Sequence, residues 1–439
     1  MAYNETTGHL PFEKASKTGH IPLIQDPFVR EQLAKLLPAG NRVTPIQPYP
    51  LMWEHRRNAD SPIENVVACD GSYVQTDQEN TRLAYIRVAA LRLPVFSQGR
   101  LHPYQREQLI QSNSDSLQTV LPVELPTLPI EQQSLRLRRA IFETIQFRPQ
   151  LLQTLRWLYT DGWMEQPMGL PSIRCPGCGQ LVRIGTANQI THSCGCEVFV
   201  TDLFDWDTEL KNSQGEADQH SGIPGRFMLV LEFLMLMSLI RETWQNSRQE
   251  LGRTLFLHDG PLSIGGWYGH MLRPMGDFLR EAERHGDRIY LCGVEKSGRF
   301  VRHLLAQRLE APKEGVTFAV PSHGYVQGNI DGRPLETDHN YGERNVLGER
   351  VFVLLPENRR YVLSIPAQCI YMGPEQPMPT DLLGLEEILA VLPRLVTPVY
   401  DNALFPITQV NRLVSIAESP CGHLLGRFSE SLRQRPASP

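Results

Sequence analysis

Short apolar runs alternate along this chain with longer segments of helical periodicity. The runs predict strands over 65–69, 83–96, 254–258, 288–293, 316–320, 350–355 and 361–366. The periodicity predicts helices over 26–37, 130–159 with a break at Pro149, 227–249, 298–309, 381–392 and 404–418. Because several strands are apolar on both faces, the pattern favours an α/β or α+β sheet covered by helices.

The same pattern suggests how the chain is organised. Residues 1–60 are rich in proline and polar residues and form a predicted N-terminal extension, and residues 426–439 form a predicted flexible tail. The core is predicted to lie in 61–170, with a helical insertion, and in 225–425. A cysteine-rich insertion at 171–205 separates these two parts.

Composition narrows the class of protein. Of 439 residues, 41% are hydrophobic and 21% charged, which is ordinary for a globular enzyme and excludes wholesale disorder. The net charge of −5 means that any nucleic acid must meet locally gathered basic groups or groups from a partner. The apolar run at 227–240 is too short to span a bilayer, and the first residues carry no visible secretion signal. We therefore expect a cytoplasmic protein without membrane contact.

Two acidic residues directly follow apolar strands. Asp70 opens Asp70-Gly71-Ser72 after the strand at 65–69, and Asp259 opens Asp259-Gly260 after the strand at 254–258. Strand carboxyl ends meet at a crevice where ligands bind in open α/β sheets. The two carboxylates are therefore candidates to hold a hard divalent cation. The alternative is that each Asp-Gly pair only turns the chain.

Glu232 lies in a segment, 227–237, that is apolar on every side of its predicted helix. Such a helix is buried, and an ionised carboxylate inside it is costly unless it is paired or bound to metal. Glu232 is therefore either a third metal ligand beside Asp70 and Asp259, or is compensated by an arginine or by a proton.

Lys296 follows the predicted strand at 288–293. A lysine at a strand end beside an acidic site can hold a phosphate or neutralise charge in a transition state. The alternative is a solvated basic face that Lys296 shares with Arg299, Arg302 and His303.

Half of the eight cysteines lie in one segment, as Cys175, Cys178, Cys194 and Cys196. In a long chain without a visible secretion signal, this pattern favours zinc over disulfides. Four thiolates suit tetrahedral Zn²⁺, and a site with four protein ligands is structural. His192 is a reserve ligand, and a redox pair or unligated thiols are the alternatives.

Taken together, these motifs resemble those of the NurA nuclease family. The resemblance rests on an ordered set of segments: Ala68-Cys69-Asp70-Gly71-Ser72, Glu232 in its apolar helix, Leu257-His258-Asp259-Gly260-Pro261-Leu262, Gly293-Val294-Glu295-Lys296-Ser297, and Phe405-Pro406-Ile407-Thr408-Gln409-Val410-Asn411-Arg412-Leu413. It covers roughly residues 60–100 and 225–420, and the cysteine segment looks like an inserted module.

The resemblance implies an α/β fold with an RNase H-like mixed sheet flanked by helices and an inserted zinc-knuckle module. It implies a Mn²⁺- or Mg²⁺-dependent deoxyribonuclease acting on DNA ends and single strands, in which Asp70, Glu232 and Asp259 bind metal and Lys296 meets the phosphate. Two such ions about 4 Å apart would activate the water and stabilise the phosphate and the leaving oxygen. It also implies a homodimer working with a HerA-type hexameric ATPase in DNA repair or in defence against foreign DNA.

The chain departs from the family pattern in its C-terminal motif. The family's motif usually ends in Ala-His or a similar pair, and the corresponding pair here is Val410-Asn411. Asn411 can offer a carbonyl oxygen to a metal but cannot act as a general base. Asp401 is a possible substitute ligand, or it caps the following helix.

Two other functions fit the same sequence. The first is a non-catalytic subunit that clamps DNA for such an ATPase, which the departure at Asn411 motivates. The second is a zinc-ribbon adaptor that binds nucleic acid or protein through residues 165–205 and does not need the acidic residues.

Overall fold

The computed structural model describes residues 26–36, 50–78, 81–95, 112–206, 210, 222–264, 270–332, 346–371, 375–397, 403–416 and 421–433. The chain divides into two compact units, Met1–Pro50 and Leu51–Pro439. In the first unit the described element is helix α1, Pro27–Leu36, whose N-terminus is capped by Asp26 through the N–H of Phe28 at 2.8 Å.

A nine-stranded sheet forms the centre of the second unit. Its strands are β1 (Glu54–Arg56), β2 (Asn65–Gln78), β3 (Thr81–Pro94), β4 (Ser114–Glu124), β9 (Thr254–Asp259), β10 (Tyr290–Glu295), β11 (Val316–Ala319), β12 (Glu349–Leu355) and β13 (Arg359–Ile365). Across the sheet they lie in the order β1-β11-β12-β13-β10-β9-β2-β3-β4. Four short strands, β5 (Ile173–Arg174), β6 (Leu181–Val182), β7 (Gln189–Thr191) and β8 (Glu197–Phe199), form two separate hairpins.

The centre of the sheet has the topology that the resemblance implied. Strands β2, β3 and β4 are antiparallel neighbours, β9 lies parallel to β2, and β10 lies parallel to β9. Three antiparallel strands followed by two parallel ones on the other side of the first strand form an RNase H-like core. Beyond β10 the sheet continues through antiparallel neighbours to β1 at its edge. The expected fold class is therefore confirmed.

Helices cover both faces of this sheet. They are α2 (Ile130–Gln146), α3 (Pro149–Tyr159), α4 (Gly222–Asn246), α5 (Arg248–Leu251), α6 (Leu272–Arg284), α7 (Arg299–Ala306), α8 (His323–Tyr325), α9 (Leu385–Leu395), α10 (Phe405–Val414) and α11 (His423–Arg433). The break expected at Pro149 separates α2 from α3, because a proline is accommodated at the first turn of a helix.

Alternation along the strands assigns each residue to a face. The face that we call the α4 face carries Val67 and Cys69 of β2 and packs against α2, α3, α4 and α6. The opposite face, the α10 face, carries Val66 and Ala68 and packs against α9 and α10. Successive side chains point to opposite faces of a strand, so Asp70 belongs to the α10 face and Gly71 to the α4 face.

Helix α4 runs through the core. Among the described residues it is the helix long and apolar enough to cross a membrane by composition, but 72% of its apolar window is buried inside the protein. Leu231, Leu234 and Leu236 are fully buried. The sequence prediction of a buried helix here is confirmed.

The hairpin of β2 and β3 is much longer than the predicted strands. β2 continues through Asp70-Gly71-Ser72 and pairs with β3 as far as Gln78 and Thr81. The interpretation of Asp70-Gly71 as a turn is therefore wrong. Strand β4 was not among the predicted strands either, and its Pro122 is accommodated at a register shift opposite Leu83.

The cysteine-rich insertion packs against the core rather than standing apart from it. Cys175, Val182 and Val198 belong to the same buried cluster as helices α2 to α4. A buried ion pair joins Arg138 of α2 to Asp202, with donor–acceptor distances of 2.8 and 2.6 Å. Elsewhere, the predicted extension at 1–60 supplies edge strand β1, and part of the predicted tail at 426–439 belongs to helix α11.

Candidate metal centre

Asp70 and Asp259 lie side by side where the parallel pairing of β2 with β9 ends. The β2–β9 ladder ends at the pair Cys69 and His258, so the two aspartates are the first residues beyond it. Leu257 packs on the α10 face, so alternation places Asp259 on that face together with Asp70. The two carboxyl groups therefore lie on the same face of the sheet, at the end of the β2–β9 ladder, which is where ligands bind in open α/β sheets.

The Asp70 carboxyl group is buried and only half satisfied. Asp70 is 6% exposed. Its Oδ1 accepts a hydrogen bond from the N–H of Gly71 at 2.8 Å, whereas its Oδ2 is buried without a hydrogen-bond partner. Burial, together with the charges of Asp259 and Glu232, raises the pKa of Asp70 to about 8, although Lys296 acts in the opposite direction. A bound cation would favour the ionised form of this carboxyl group.

Lys296 provides the positive charge beside these acids. It follows β10, and its Nζ lies 2.5 Å from Oδ2 of Asp259. The side chain remains 30% exposed, whereas that of Asp259 is 11% exposed. The ammonium group therefore stands between the buried carboxylate and solvent, where a phosphate could replace Asp259 as its partner.

Glu232 reaches the same region from the α4 face. A Cβ atom at Gly71 would lie 2.4 Å from Oε1 of Glu232 and 2.7 Å from Cγ of Met228. Only glycine at position 71 therefore lets α4 approach the strand next to Asp70. The carboxyl group is fully buried, and its Oε2 lies 2.7 Å from Nε2 of His258.

A proton lies between Glu232 and His258. Nδ1 of His258 lies 3.2 Å from the carbonyl oxygen of Gly260, so Nδ1 carries a hydrogen. Burial lowers the pKa of His258, but the hydrogen bond with Glu232 outweighs it and raises that pKa. For the carboxyl group of Glu232, burial raises the pKa. Whichever partner holds the shared proton, the pair has no net charge, and it is His258 that compensates the buried glutamate.

The predicted site residues are therefore only partly gathered. Among the described residues, Asp70, Glu232 and Asp259 do not form a group whose ligand atoms all lie within 4.8 Å of one another. Asn411 lies in α10, but its side chain is exposed. Asp401 lies outside the described residues.

The residues present fit a divalent cation at Asp70 and Asp259. The donors are carboxylate oxygens, which Mg²⁺ and Mn²⁺ prefer, and Oδ2 of Asp70 is a buried acceptor without a donor. Glu232 is a neighbour that raises the pKa of Asp70 and is held by His258. Its role as a third ligand of the cation stays a prediction.

A second candidate metal centre lies in the cysteine-rich insertion. Cys175, Cys178, His192 and Cys194 present ligand atoms that all lie within 4.8 Å of one another. The Sγ atoms of Cys175 and Cys194 are 3.6 Å apart, and Nδ1 of His192 lies 3.3 Å from Sγ of Cys194 and 3.5 Å from Sγ of Cys178. A tetrahedron with Zn–S bonds of about 2.3 Å has edges of about 3.8 Å, so the group has the dimensions of a zinc site.

The composition of this group differs from the four cysteines that were expected. His192, the reserve candidate, belongs to the group, and Cys196 lies outside it. The reason is the turn that joins β7 to β8, in which the N–H of Gly195 donates to the carbonyl of His192 and the N–H of His192 donates to the carbonyl of Cys196. His192 and Cys194 therefore flank the turn, while Cys196 already continues into β8.

The thiol of Cys175 is prepared for a metal. Burial raises its pKa, but hydrogen bonds from the backbone N–H groups of Cys178 and Gly177 bring it down to about 7. A thiolate is the form that binds zinc.

One residue beside the site, His258, was not singled out in the sequence. His258 is a polar residue in a strand that is otherwise apolar up to Asp259, which is the signal that could have identified it as the partner of Glu232. His192 was noted, but the turn geometry that selects it over Cys196 is a property of the folded hairpin.

The fold and the site define an α/β protein with two neighbouring carboxyl groups, Asp70 and Asp259, where the parallel pairing of β2 with β9 ends. No protein-family model and no curated protein matches the chain. Solved structures to which it is similar include the NurA nuclease from Sulfolobus solfataricus, with 10% identity, 96% of this chain and 97% of that chain covered, and a TM-score of 0.31. They also include NurA bound to dAMP and manganese, with 12% identity, 97% and 99% covered, and a TM-score of 0.27. Both are structures of NurA, the family that the motifs resemble.

Proposed function

We propose that the protein is a divalent-cation-dependent deoxyribonuclease that hydrolyses phosphodiester bonds at DNA ends and in single strands. The observation that supports this most is the pair Asp70 and Asp259 where the parallel pairing of β2 with β9 ends. One buried oxygen of Asp70 has no hydrogen-bond partner, and Lys296 donates to Asp259. The motifs shared with the NurA family support the choice of DNA as substrate.

In this proposal each side chain has a defined task. Asp70 and Asp259 hold the cation, which would supply an activated water and positive charge at the phosphate. Lys296 exchanges its contact with Asp259 for a contact with a phosphate oxygen, which its exposure permits. The Glu232–His258 pair lies beneath Gly71, where His258 compensates the buried glutamate and the charge of Glu232 still raises the pKa of Asp70.

The test is cleavage of an end-labelled single-stranded DNA with Mn²⁺. We expect Asp70→Asn and Asp259→Asn to lower the rate by at least about 100-fold, since each removes a charged metal ligand. Asp77→Asn is the matched control, because Asp77 lies on the same strand and its side chain is 77% exposed. Wild-type cleavage rates in both aspartate variants would refute the proposal.

A second candidate function is a non-catalytic subunit that clamps DNA. It is favoured by the exposed Asn411 and by the separation of Glu232 from the two aspartates. DNA binding without cleavage in Mg²⁺, Mn²⁺ and Co²⁺ would select it. The adaptor function is disfavoured, because the cysteine-rich insertion shares its buried side chains with the core.

The remaining parts of the proposal extend beyond the site. We propose Mn²⁺ or Mg²⁺ at the two aspartates, in a one-ion or two-ion arrangement, and Zn²⁺ as a structural ion at Cys175, Cys178, His192 and Cys194. The homodimer, the HerA-type ATPase partner, a role in repair or defence, and a cytoplasmic location rest on the family resemblance. Addition of such an ATPase is expected to accelerate digestion of duplex ends, and equal digestion with and without it would contradict the coupling.

A further inference from the structure

Arg87 lies on the same face of the sheet as the two aspartates, one strand away. In the β2–β3 ladder Asp70 stands opposite Ala89, and Ser72 stands opposite Arg87. Ala89 packs on the α10 face, so alternation along β3 places Arg87 on that face as well. Diagonal neighbours of this kind have Cβ atoms about 7–8 Å apart, within reach of a long side chain.

The surroundings of Arg87 leave its side chain between two helices. On one side, Ala89 is covered by α10, after which the N–H of Ile416 donates to Oγ of Ser72 at 3.3 Å. On the other side, the hydroxyl of Tyr85 donates to the carbonyl of Leu425 in α11 at 3.3 Å. Arg87 is half-buried between these contacts, and it lies one strand away from Asp70.

Arg87 has no acceptor for its charge within the part of the chain that the structure describes. Its Nε is buried without a hydrogen-bond partner, and no carboxylate forms an ion pair with it. Its neighbours on β3 differ, because Arg82 pairs with Asp77 and Arg92 pairs with Glu250. A buried guanidinium nitrogen without an acceptor is costly, so its position one strand away from Asp70 points to an external anion.

We propose that Arg87 binds a backbone phosphate of the DNA strand, next to the phosphate that is cleaved at Asp70 and Asp259. This inference rests on the proposed function and adds a substrate-binding residue to it. The planar guanidinium can donate two parallel hydrogen bonds to phosphate oxygens. Arg87 would hold the strand in register on the β2–β3 hairpin while Lys296 meets the reacting phosphate.

The test compares Arg87→Met and Arg87→Lys with Arg92→Met. Arg92 lies on the same strand but belongs to the opposite face, and its charge is already paired with Glu250. With single-stranded DNA and Mn²⁺, we expect Arg87→Met to raise KM about 10- to 100-fold with kcat nearly unchanged, as for a lost hydrogen bond to a charged group. Arg87→Lys should recover most of this loss, and Arg92→Met should match the wild type.

Two further readouts separate phosphate binding from a structural role. DNA binding is measured in EDTA at several salt concentrations, and log Kd is plotted against log salt concentration. The slope for Arg87→Met should be about 0.7 smaller than that for the wild type, as for one fewer counterion released from a single strand. A neutral methylphosphonate placed at successive linkages should weaken wild-type binding at one linkage where Arg87→Met shows no further loss. Wild-type KM in Arg87→Met, or a lowered Tm with an unchanged methylphosphonate profile, would overturn the inference. Absence of both cleavage and binding in the wild type would instead overturn the proposed function together with it.

Discussion

The buried carboxyl group of Asp70 makes the stability of the metal-free protein depend on pH in a defined direction. Its pKa lies at about 8, against an ordinary value of 3.8. A folded-state pKa above the unfolded value means that the folded protein binds more protons, so stability is present at low pH and is lost as pH rises through the interval from about 4 to about 8. The substitution Asp70→Asn removes this titration while keeping the shape of the side chain.

The magnitude follows from the difference between the two pKa values. Each pKa unit corresponds to about 1.4 kcal/mol. In EDTA, Asp70→Asn should therefore be more stable than the wild type by about 1–2 kcal/mol at pH 5 and by on the order of 5 kcal/mol at pH 8. Mn²⁺ at about 100 times its Kd should stabilise the wild type by about 2.7 kcal/mol and leave the stability of the variant unchanged.

The assay is urea unfolding followed by tryptophan fluorescence at several pH values, with and without Mn²⁺. Asp77→Asn controls for the loss of a carboxylate from the same strand at an exposed position. The free energies of unfolding of this variant and of the wild type should differ by nearly the same amount at pH 5 and pH 8. If the free-energy difference between the wild type and Asp70→Asn were the same at pH 5 and pH 8, the burial and crowding of this carboxyl group would be refuted.

Three further outcomes test other parts of the structure. Gly71→Ala should lower the free energy of unfolding by about 1–3 kcal/mol through overpacking against α4, whereas Gly169→Ala, where a Cβ meets nothing within 4 Å, should change it little. Lys296→Met should lower cleavage about 100-fold or more while Mn²⁺ binding measured by calorimetry becomes tighter, because the ammonium no longer competes for Asp259; weaker Mn²⁺ binding would contradict this. Metal analysis should find one zinc per chain in Cys196→Ser and none in Cys194→Ser, and equal zinc content in the two variants would contradict the ligand set.

The positions of the two aspartates could be predicted because they depend on local pattern. In each case an apolar run is followed by Asp-Gly, and the parallel pairing of β2 with β9 brings the two positions together. The extent of β2 could not be predicted in this way. Its continuation past Gly71 is decided by pairing with β3, which is a contact between two segments and not a property of either one.

The partners of the buried groups could not be predicted from the local sequence pattern either. The cost of burying Glu232 could be recognised from its apolar neighbours, but its compensation by His258 depends on α4 lying across β9. Zinc could be inferred from the cysteine spacing, whereas the choice of His192 over Cys196 depends on the turn at Gly195. Nothing in the sequence around Arg87 indicates a site, because only the register of β3 against β2 places this residue near Asp70.

An anomalous-scattering map from crystals soaked in Mn²⁺ tests the central claim most directly. We expect a peak within bonding distance of both Oδ2 of Asp70 and a carboxylate oxygen of Asp259, with Nζ of Lys296 displaced from its contact with Asp259. A peak at other side chains only, or none at these two aspartates with the ion present in excess, would contradict a cation-dependent reaction at the ends of β2 and β9.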